Sequence, residues 1–497
     1  VAAWHLLTPA LGTPGPRAAA ARCPGGLGPP GWVRGCNRSP AIDTSTDTSA
    51  RTARAGHDAH PPHRIVIVGG GAGGLELATR LGDTLGKRGL AQVTLIEKAR
   101  THFWKPHLHE IAAGTVDLHT HAVDYLAQSH WHCFRYRIGE MTGLDRTRRE
   151  VHVAPYIDFD EGEQVTAERI FPYDTLVIAV GSLNNDFGTP GVQEHALLLE
   201  TPAQAERFHR RLVNACLRAH AQAAPLRPEQ LHVAIIGAGA TGVELAAELH
   251  HTTRTLVSYG LDRIDPERDI RINLVEAGPR ILAALPERMS VSARQLLEKL
   301  HVRVRTNAKV TAVTPNGVQL ASGETIPAEL VVWAAGVKAP DFLSRLDGLE
   351  VNRINQLRAR PTLQTTLDDT VFAIGDCAEV PWLGHEGKTV PPRAQAAHQQ
   401  AAHLVKQMRR RLRGQPLQPW RYRDFGSLVS LGTYTTVGNL MGQLVGGNFW
   451  IEGLFARWMY QSLYKMHELA LHGLWKTSLG TASRFLARRT VPRVKLH

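Results

Sequence analysis

The chain is short of cysteine. Its 497 residues hold five, at positions 23, 36, 133, 216 and 377, with no CxxC or CxxxxC spacing among them. That odd, scattered set excludes a disulfide scaffold, favours a reducing compartment and leaves no dithiol pair to relay electrons. Long hydrophobic runs are missing too: no apolar stretch reaches the roughly 18 residues of a spanning helix, which excludes an integral multi-span protein. Acids are absent before Asp43. Residues 1–63 are instead rich in Pro, Gly, Ala, Thr and Arg without helical or strand period, so a disordered leader is expected rather than a targeting segment.

What is present is a globular composition, 43 % hydrophobic with 45 glycines spread along the chain. The basic excess of 57 Lys and Arg over 45 Asp and Glu is localised. Residues 401–497 carry 15 bases and 3 acids, leaving 42 of each sign in the first 400. A neutral body with one basic end points to surface attachment. Short β-branched runs bounded by turns recur at 65–68, 93–96, 176–180, 233–236, 272–275, 330–334 and 371–374, alternating with helical patterns. That order predicts an α/β fold with two doubly wound, Rossmann-like dinucleotide-binding units.

Each unit has a glycine fingerprint between a strand and a helix. In Gly69-Gly70-Gly71-Ala72-Gly73-Gly74 the first glycine permits the turn, Gly71 lets backbone approach a pyrophosphate, and Gly74 lets helix and strand pack closely. The helix N-terminus offers N–H groups to phosphates. Glu97 ends the next strand, where a carboxylate can receive both ribose hydroxyls. The logic repeats at Gly237-Ala238-Gly239-Ala240-Thr241-Gly242, with Glu276 as the terminal acid. A carboxylate there repels a 2′-phosphate and favours NADH over NADPH, although Arg280 lies close by in sequence. Two units imply a flavin with a nicotinamide partner. Gly375-Asp376, ending the 371–374 strand, places an acid where it can reach a flavin ribityl chain, so the NADH unit is inserted into a split FAD domain. Gly181 and Gly336 mark the two crossovers. These signatures resemble the two-dinucleotide-binding-domain flavoprotein superfamily.

Within that superfamily the resemblance sharpens at Pro391-Pro392-Arg393-Ala394-Gln395-Ala396-Ala397-His398-Gln399-Gln400. This stretch is similar to the AQxAHQ signature of type II, non-proton-pumping NADH:quinone oxidoreductases of the bacterial respiratory form. Trp104 to Glu110, Gly242 to Leu245, Ser427 to Ser430, Ala470 to Gly473 and Lys495-Leu496-His497 fit the same family, and the similarity runs from about Arg64 to the end. His107 departs from the Leu usual there. The resemblance implies FAD as cofactor, NADH as co-substrate and a membrane quinone as acceptor. It places Gln395 and His398 beside flavin and quinone, with Glu244 near nicotinamide and quinone, as the catalytic set. It also implies a peripheral protein on the cytoplasmic face of the bacterial inner membrane, and leaves homodimerisation open. The expected layout is leader 1–63, FAD domain 64–190, NADH-binding domain 191–358, second FAD part 359–448 and membrane-surface helices 449–497.

The 25 histidines show no metal-ligand spacing, so no metal is expected. From Ile451 a helical stripe of Leu454, Phe455, Trp458, Met459, Leu463, Met466 and Ala470 faces away from Arg457, Gln461, Lys465 and Glu468. A second stretch sets Trp475, Leu479, Ala482 and Leu486 against Arg484, Arg488 and Arg489. The pattern fits interfacial helices on a lipid bilayer surface, with helices packed on the protein's own core as the bland alternative. No recognition motif supports nucleic acid. Two other functions fit the fingerprints: a soluble NADH-dependent flavin reductase acting on ferredoxin or oxygen, and a nucleotide-binding interaction protein.

Overall fold

The computed structural model describes residues 61–158, 161–431, 435–440, 449–452, 454–487 and 494–495, of which 427–428, 435–440, 449–452, 454–461, 463, 485 and 487 are described in backbone only. The leader up to residue 60 and Arg488 and Arg489 therefore lie outside the described residues.

Two parallel five-stranded sheets organise the chain. The first has the order Val371–Ala373, Thr175–Ile178, His63–Val68, Ala91–Glu97, Arg135–Ile138. The second has the order Ala196–Leu198, Leu330–Trp333, His232–Ile236, Arg271–Val275, Arg303–Arg305. In both, the strand feeding the glycine loop is central and the strand ending in the acid is its neighbour. The strand Val371–Ala373 joins the first sheet only after the whole second sheet has been laid down. These central strands are continuous apolar runs because both faces are covered: Ile65, Ile67, Leu95, Leu176 and Ile178 are all inaccessible to solvent.

Helix Ala72–Leu81 follows the first loop and continues as one π-helical turn, Gly82–Gly86. It packs beside helix Ala394–Arg411, and a Cβ on Gly73 would stand 3.2 Å from the Ala397 carbonyl oxygen. Helix Ala240–Ser258 follows the second loop. An antiparallel trio, Val310–Thr314, Gly317–Leu320 and Thr325–Pro327, covers one face of the second sheet.

The C-terminal region differs from its sequence pattern. Ile451 belongs to a strand, Phe449–Glu452, paired with Thr435–Leu440, so the helix starts at Leu454. It runs to Ala487 and breaks at Gly473, whose φ of 73° and ψ of 172° are open to glycine alone, giving two helical arms. Glu468, expected on the solvent face, is buried and takes Lys465 Nζ at 2.6 Å and Arg484 at 2.5 Å. Met466, from the apolar stripe expected at a lipid surface, is exposed, and the stripe's Leu454, Phe455, Trp458, Met459 and Leu463 side chains lie outside the described residues. The reason is the surface beneath the first arm, which offers rings and amides: Trp104 lies 4.3 Å from the His467 ring, and Gln128 donates to the Leu471 carbonyl at 2.9 Å. Arg484 is consequently held by a carboxylate of its own helix. Among the described residues no helix is long and apolar enough to cross a membrane.

Candidate active site

The first glycine loop is fixed from below. Gly69 has φ +101°, and a Cβ there would lie 2.4 Å from the Ala179 carbonyl oxygen. A Cβ on Gly74 would sit 1.9 Å from the Gly69 oxygen, so that glycine is the price of helix and strand meeting at the turn. A Cβ on Gly71 or Gly181 meets nothing within 4 Å, which leaves open space over the N-terminus of the Ala72–Leu81 helix. Glu97 accepts the Gly70 N–H at 2.6 Å and the Ala99 N–H at 3.0 Å. Tyr125 and His102 both donate to the Gly70 carbonyl, at 2.7 and 2.9 Å. A carbonyl only accepts, so His102 carries its proton on Nδ1, and its Nε2 accepts from His467 Nε2 at 2.9 Å. Burial pushes His102 down to about 4 and drives His467 well below its usual value, so the pair is neutral near pH 7.

Gly375 adopts φ +73°, and its N–H donates to Gln400 at 2.7 Å. Beside it, burial pushes the Asp376 carboxyl up, while the Ser182 hydroxyl at 2.9 Å and the Lys105 ammonium hold it back. Open backbone at Gly71 and Gly181, a helix N-terminus and an acid-ended second strand together fit a flavin dinucleotide.

The second unit repeats the first. Gly237 has φ +101°, a Cβ on Gly242 would lie 2.0 Å from the Gly237 oxygen, and one on Gly239 meets nothing within 4 Å. Glu276 accepts the Ala238 N–H at 2.9 Å and the Gly278 N–H at 2.8 Å. Arg280 turns away from it and donates to the carbonyls of Leu285 and Ala283, at 2.9 and 2.7 Å. Gly336 adopts φ +65°, a conformation that favours glycine, and a Cβ there would stand 2.4 Å from the tip of the exposed Phe187 ring.

One segment brings the expected catalytic residues together. Gln395 donates to Asp424 at 3.3 Å and to the Gly426 carbonyl at 3.1 Å, and accepts the Phe425 N–H at 3.3 Å. A few residues on, the Ser430 N–H donates to Glu244 at 3.0 Å. The 424–430 segment thus joins the helix carrying Gln395 to the helix carrying Glu244.

Four neighbours escaped the sequence reading. Glu76, fully buried, takes His398 Nδ1 at 2.5 Å on one oxygen and Arg80 at 2.7 Å on the other. A lone acid two residues past the third glycine, inside an apolar helix, was the available signal. His109 Nδ1 lies 3.5 Å from Glu244, and burial pushes its imidazole down to about 4. Asp424 ties Arg393 to Gln395, and His467 arrives from the C-terminal helix. His107 stands 3.3 Å from Glu110 and 4.7 Å from the Tyr464 ring. Burial alone would push Glu110 up, but His107, His109 and His121 together hold it down at about 2. Cys216 and Cys377 are buried thiols that burial pushes up to about 12, unsuited to thiolate chemistry. Among the described residues no group of three or more His, Cys, Asp or Glu is placed to hold a metal ion.

The chain is similar to known proteins. Residues 63–401 match the pyridine nucleotide-disulphide oxidoreductase family. The type II NADH:quinone oxidoreductase of Haemophilus influenzae is 42 % identical over 445 residues, covering 87 % of this chain and 99 % of that protein. The Staphylococcus aureus enzyme of the same description is 28 % identical over 389 residues, 77 % of this chain and 91 % of its own. Among solved structures, NDH2 from Plasmodium falciparum in complex with NADH superposes with a TM-score of 0.72 at 20 % identity, covering 87 % of this chain and 99 % of that one. The chain belongs to the pyridine nucleotide-disulphide oxidoreductase family and, within it, to the type II NADH:quinone oxidoreductases.

Proposed function

We propose that this chain holds FAD on its first unit and NADH on its second, and passes two electrons to a membrane quinone at the wall made by Gln395, His398 and Glu244. The observation that carries the reading is the 424–430 segment, which joins Gln395 to Glu244 between two fingerprint loops of matched geometry. A bound flavin supplies the redox chemistry, accepting a hydride from NADH and returning electrons to quinone. The protein's own part is binding, orientation and proton handling. Gly71, Gly74 and the helix N-terminus hold the flavin pyrophosphate, Glu97 its adenosine ribose, and Asp376 with Ser182 its ribityl hydroxyls. Gly239, Gly242 and Glu276 do the same for NADH, with Gly336 and Gly181 keeping the crossovers close. Quinone reduction also consumes two protons. His398 gives Nδ1–H to Glu76 and keeps Nε2 as the atom at which a proton is exchanged.

The same reading places the protein on the cytoplasmic face of the bacterial inner membrane. The second C-terminal arm leaves Leu474 74 %, Trp475 80 %, Leu479 63 % and Leu486 72 % exposed, with Lys476 4.3 Å over the exposed Trp131 ring. Apolar side chains held in water beside cations suit a headgroup layer.

The test is anaerobic reduction of the purified yellow protein by NADH followed by reoxidation with a quinone analogue. Bleaching and its reversal, with FAD in the released cofactor, are expected; an unbleached flavin overturns the reading. On vesicles, Trp475→Asp/Leu479→Asp should lose binding while still reducing a water-soluble dye.

A further inference from the structure

The face of the second sheet beneath the antiparallel trio is apolar only along part of its length. Ala234, Ile236 and Val275 pack there with Val310, Val318 and Ile326. Strand side chains alternate, so the same face continues toward the strand starts through His232, Arg271, Asn273 and Arg303. Here a cavity of about 380 Å³ opens, at the end of the strands away from the Gly237–Gly242 loop.

Its walls hold five arginines, Arg227, Arg268, Arg271, Arg303 and Arg305, against the carboxylates of Asp269 and Glu324. Three of the five are paired: Arg227 with Glu229 at 2.6 Å, Arg268 with Asp269 at 2.8 Å and Arg305 with Glu324 at 2.5 Å. The side chains of Arg271 and Arg303, on neighbouring strands, make no ion pair or hydrogen bond among the described residues. Asn273 sits between them on the same face, only 3 % exposed, and its side-chain amide lines the cavity without a protein partner. What exposure the residue keeps is onto the cavity, where its amide N–H is available to a ligand. The local field is positive: burial, then Arg271, pushes the neighbouring His232 imidazole down.

We propose that this cavity binds a small oligophosphate anion, with Arg271 and Arg303 taking its phosphate oxygens and Asn273 donating its amide N–H. Planar guanidinium forks match phosphate oxygens in pairs, and two uncompensated cations call for an anion of at least two charges. The site is separate from the dinucleotide fingerprint and does not depend on the redox reading.

The probe is inorganic pyrophosphate, titrated calorimetrically into holoenzyme saturated with NAD⁺ so that the fingerprint site is filled. Saturable binding of one anion per chain is expected. Arg271→Ala/Arg303→Ala, both exposed and therefore tolerated by the fold, should weaken it at least about tenfold, with kcat and KM for NADH unchanged. A parallel titration with ADP distinguishes the source: tighter binding than pyrophosphate identifies a nucleotide, and equal binding a free diphosphate. Absence of saturable binding, equal affinity in the double variant, or binding to anionic vesicles alone would overturn the proposal.

Discussion

Gly69 and Gly237 share φ +101°, a Cβ on Gly74 or Gly242 would come within 1.9 or 2.0 Å of the carbonyl oxygen of its own loop's first glycine, and Glu97 and Glu276 each accept two backbone N–H groups. The likeness extends one step further along the helices. Glu76 and Glu244 stand two residues after the third glycine of their loops, both buried, each facing a histidine Nδ1. There the units part. Glu76 makes a short bond to His398, whose side chain is 31 % exposed, and is neutralised by Arg80. Glu244 meets His109, only 2 % exposed, at 3.5 Å, and is held by a backbone N–H. One carboxylate–imidazole pair opens outward and can exchange a proton; the other is closed and can only position. On the proposed reading, the same helix position would serve proton traffic in one unit and substrate geometry in the other.

The largest expected effect separates the units outright. Gly74→Val and Gly242→Val each drive a side chain into backbone, where nothing can yield cheaply; overpacking of this kind costs about 1–3 kcal/mol or more. Gly74→Val should give protein without bound flavin. Gly242→Val should keep its yellow colour and lose reduction by NADH. Equal flavin loss in both variants, read from absorbance after gel filtration, would mean the units do not divide their ligands this way.

Next come the paired acids. Glu76→Gln removes the carboxylate that takes the His398 Nδ1–H and orients the ring, and should lower quinone-dependent kcat about 100-fold, within the range for general acid–base groups. Stopped-flow reduction of the flavin by NADH should be nearly unaffected. Glu244→Gln should act mainly on KM. The Glu244 pair also has its own signature in stability. His109 has its native pKa depressed to about 4. The unfolded chain therefore binds the extra proton first, and stability present above pH 6.5 is lost as pH falls toward 4. His109→Gln should flatten that slope in urea melts. A Glu76→Gln enzyme with wild-type quinone turnover would leave His398 acting without its partner.

Much of this architecture was readable in advance because it is local. A turn needing φ > 0, a Cβ that would collide with a carbonyl, and a fully buried strand each dictate residue types within a few positions, so Gly69 to Glu97 and Gly237 to Glu276 declare themselves. Glu76–His398 and Gln395–Asp424 span 322 and 29 residues, and no spacing rule links them. The C-terminal helix hid the burial of Glu468 for a related reason. Its periodicity fits a stripe around Met466, but tertiary partners decide: Trp104 and Gln128 receive a face bearing His467, Glu468 and Leu471. Amphipathic pattern ranks faces by hydropathy, and here the buried face is a polar one whose groups find partners.

The smallest effect tests whether the terminal acids are as alike in use as in geometry. Glu276 presents a carboxylate anchored by Ala238 and Gly278, so on the proposed reading its charge is fixed where the ribose 2′ position of a bound dinucleotide would lie. Arg280, a nearby cation that could welcome a 2′-phosphate, is occupied by the carbonyls of Ala283 and Leu285. Repulsion should therefore govern the preference without compensation. Glu276→Gln keeps the shape, removes the charge and leaves one acceptor oxygen for two N–H donors. Its ratio of kcat/KM for NADH over NADPH should fall about tenfold, equivalent to roughly 1.4 kcal/mol. Glu97→Gln, the matching change in the first unit, should leave that ratio alone and loosen the flavin instead, seen as faster cofactor loss on dilution. If the ratio stays put in Glu276→Gln but rises in Arg280→Ala, the arginine releases its carbonyls to meet the phosphate, and the second unit selects its nucleotide by attraction as well as repulsion.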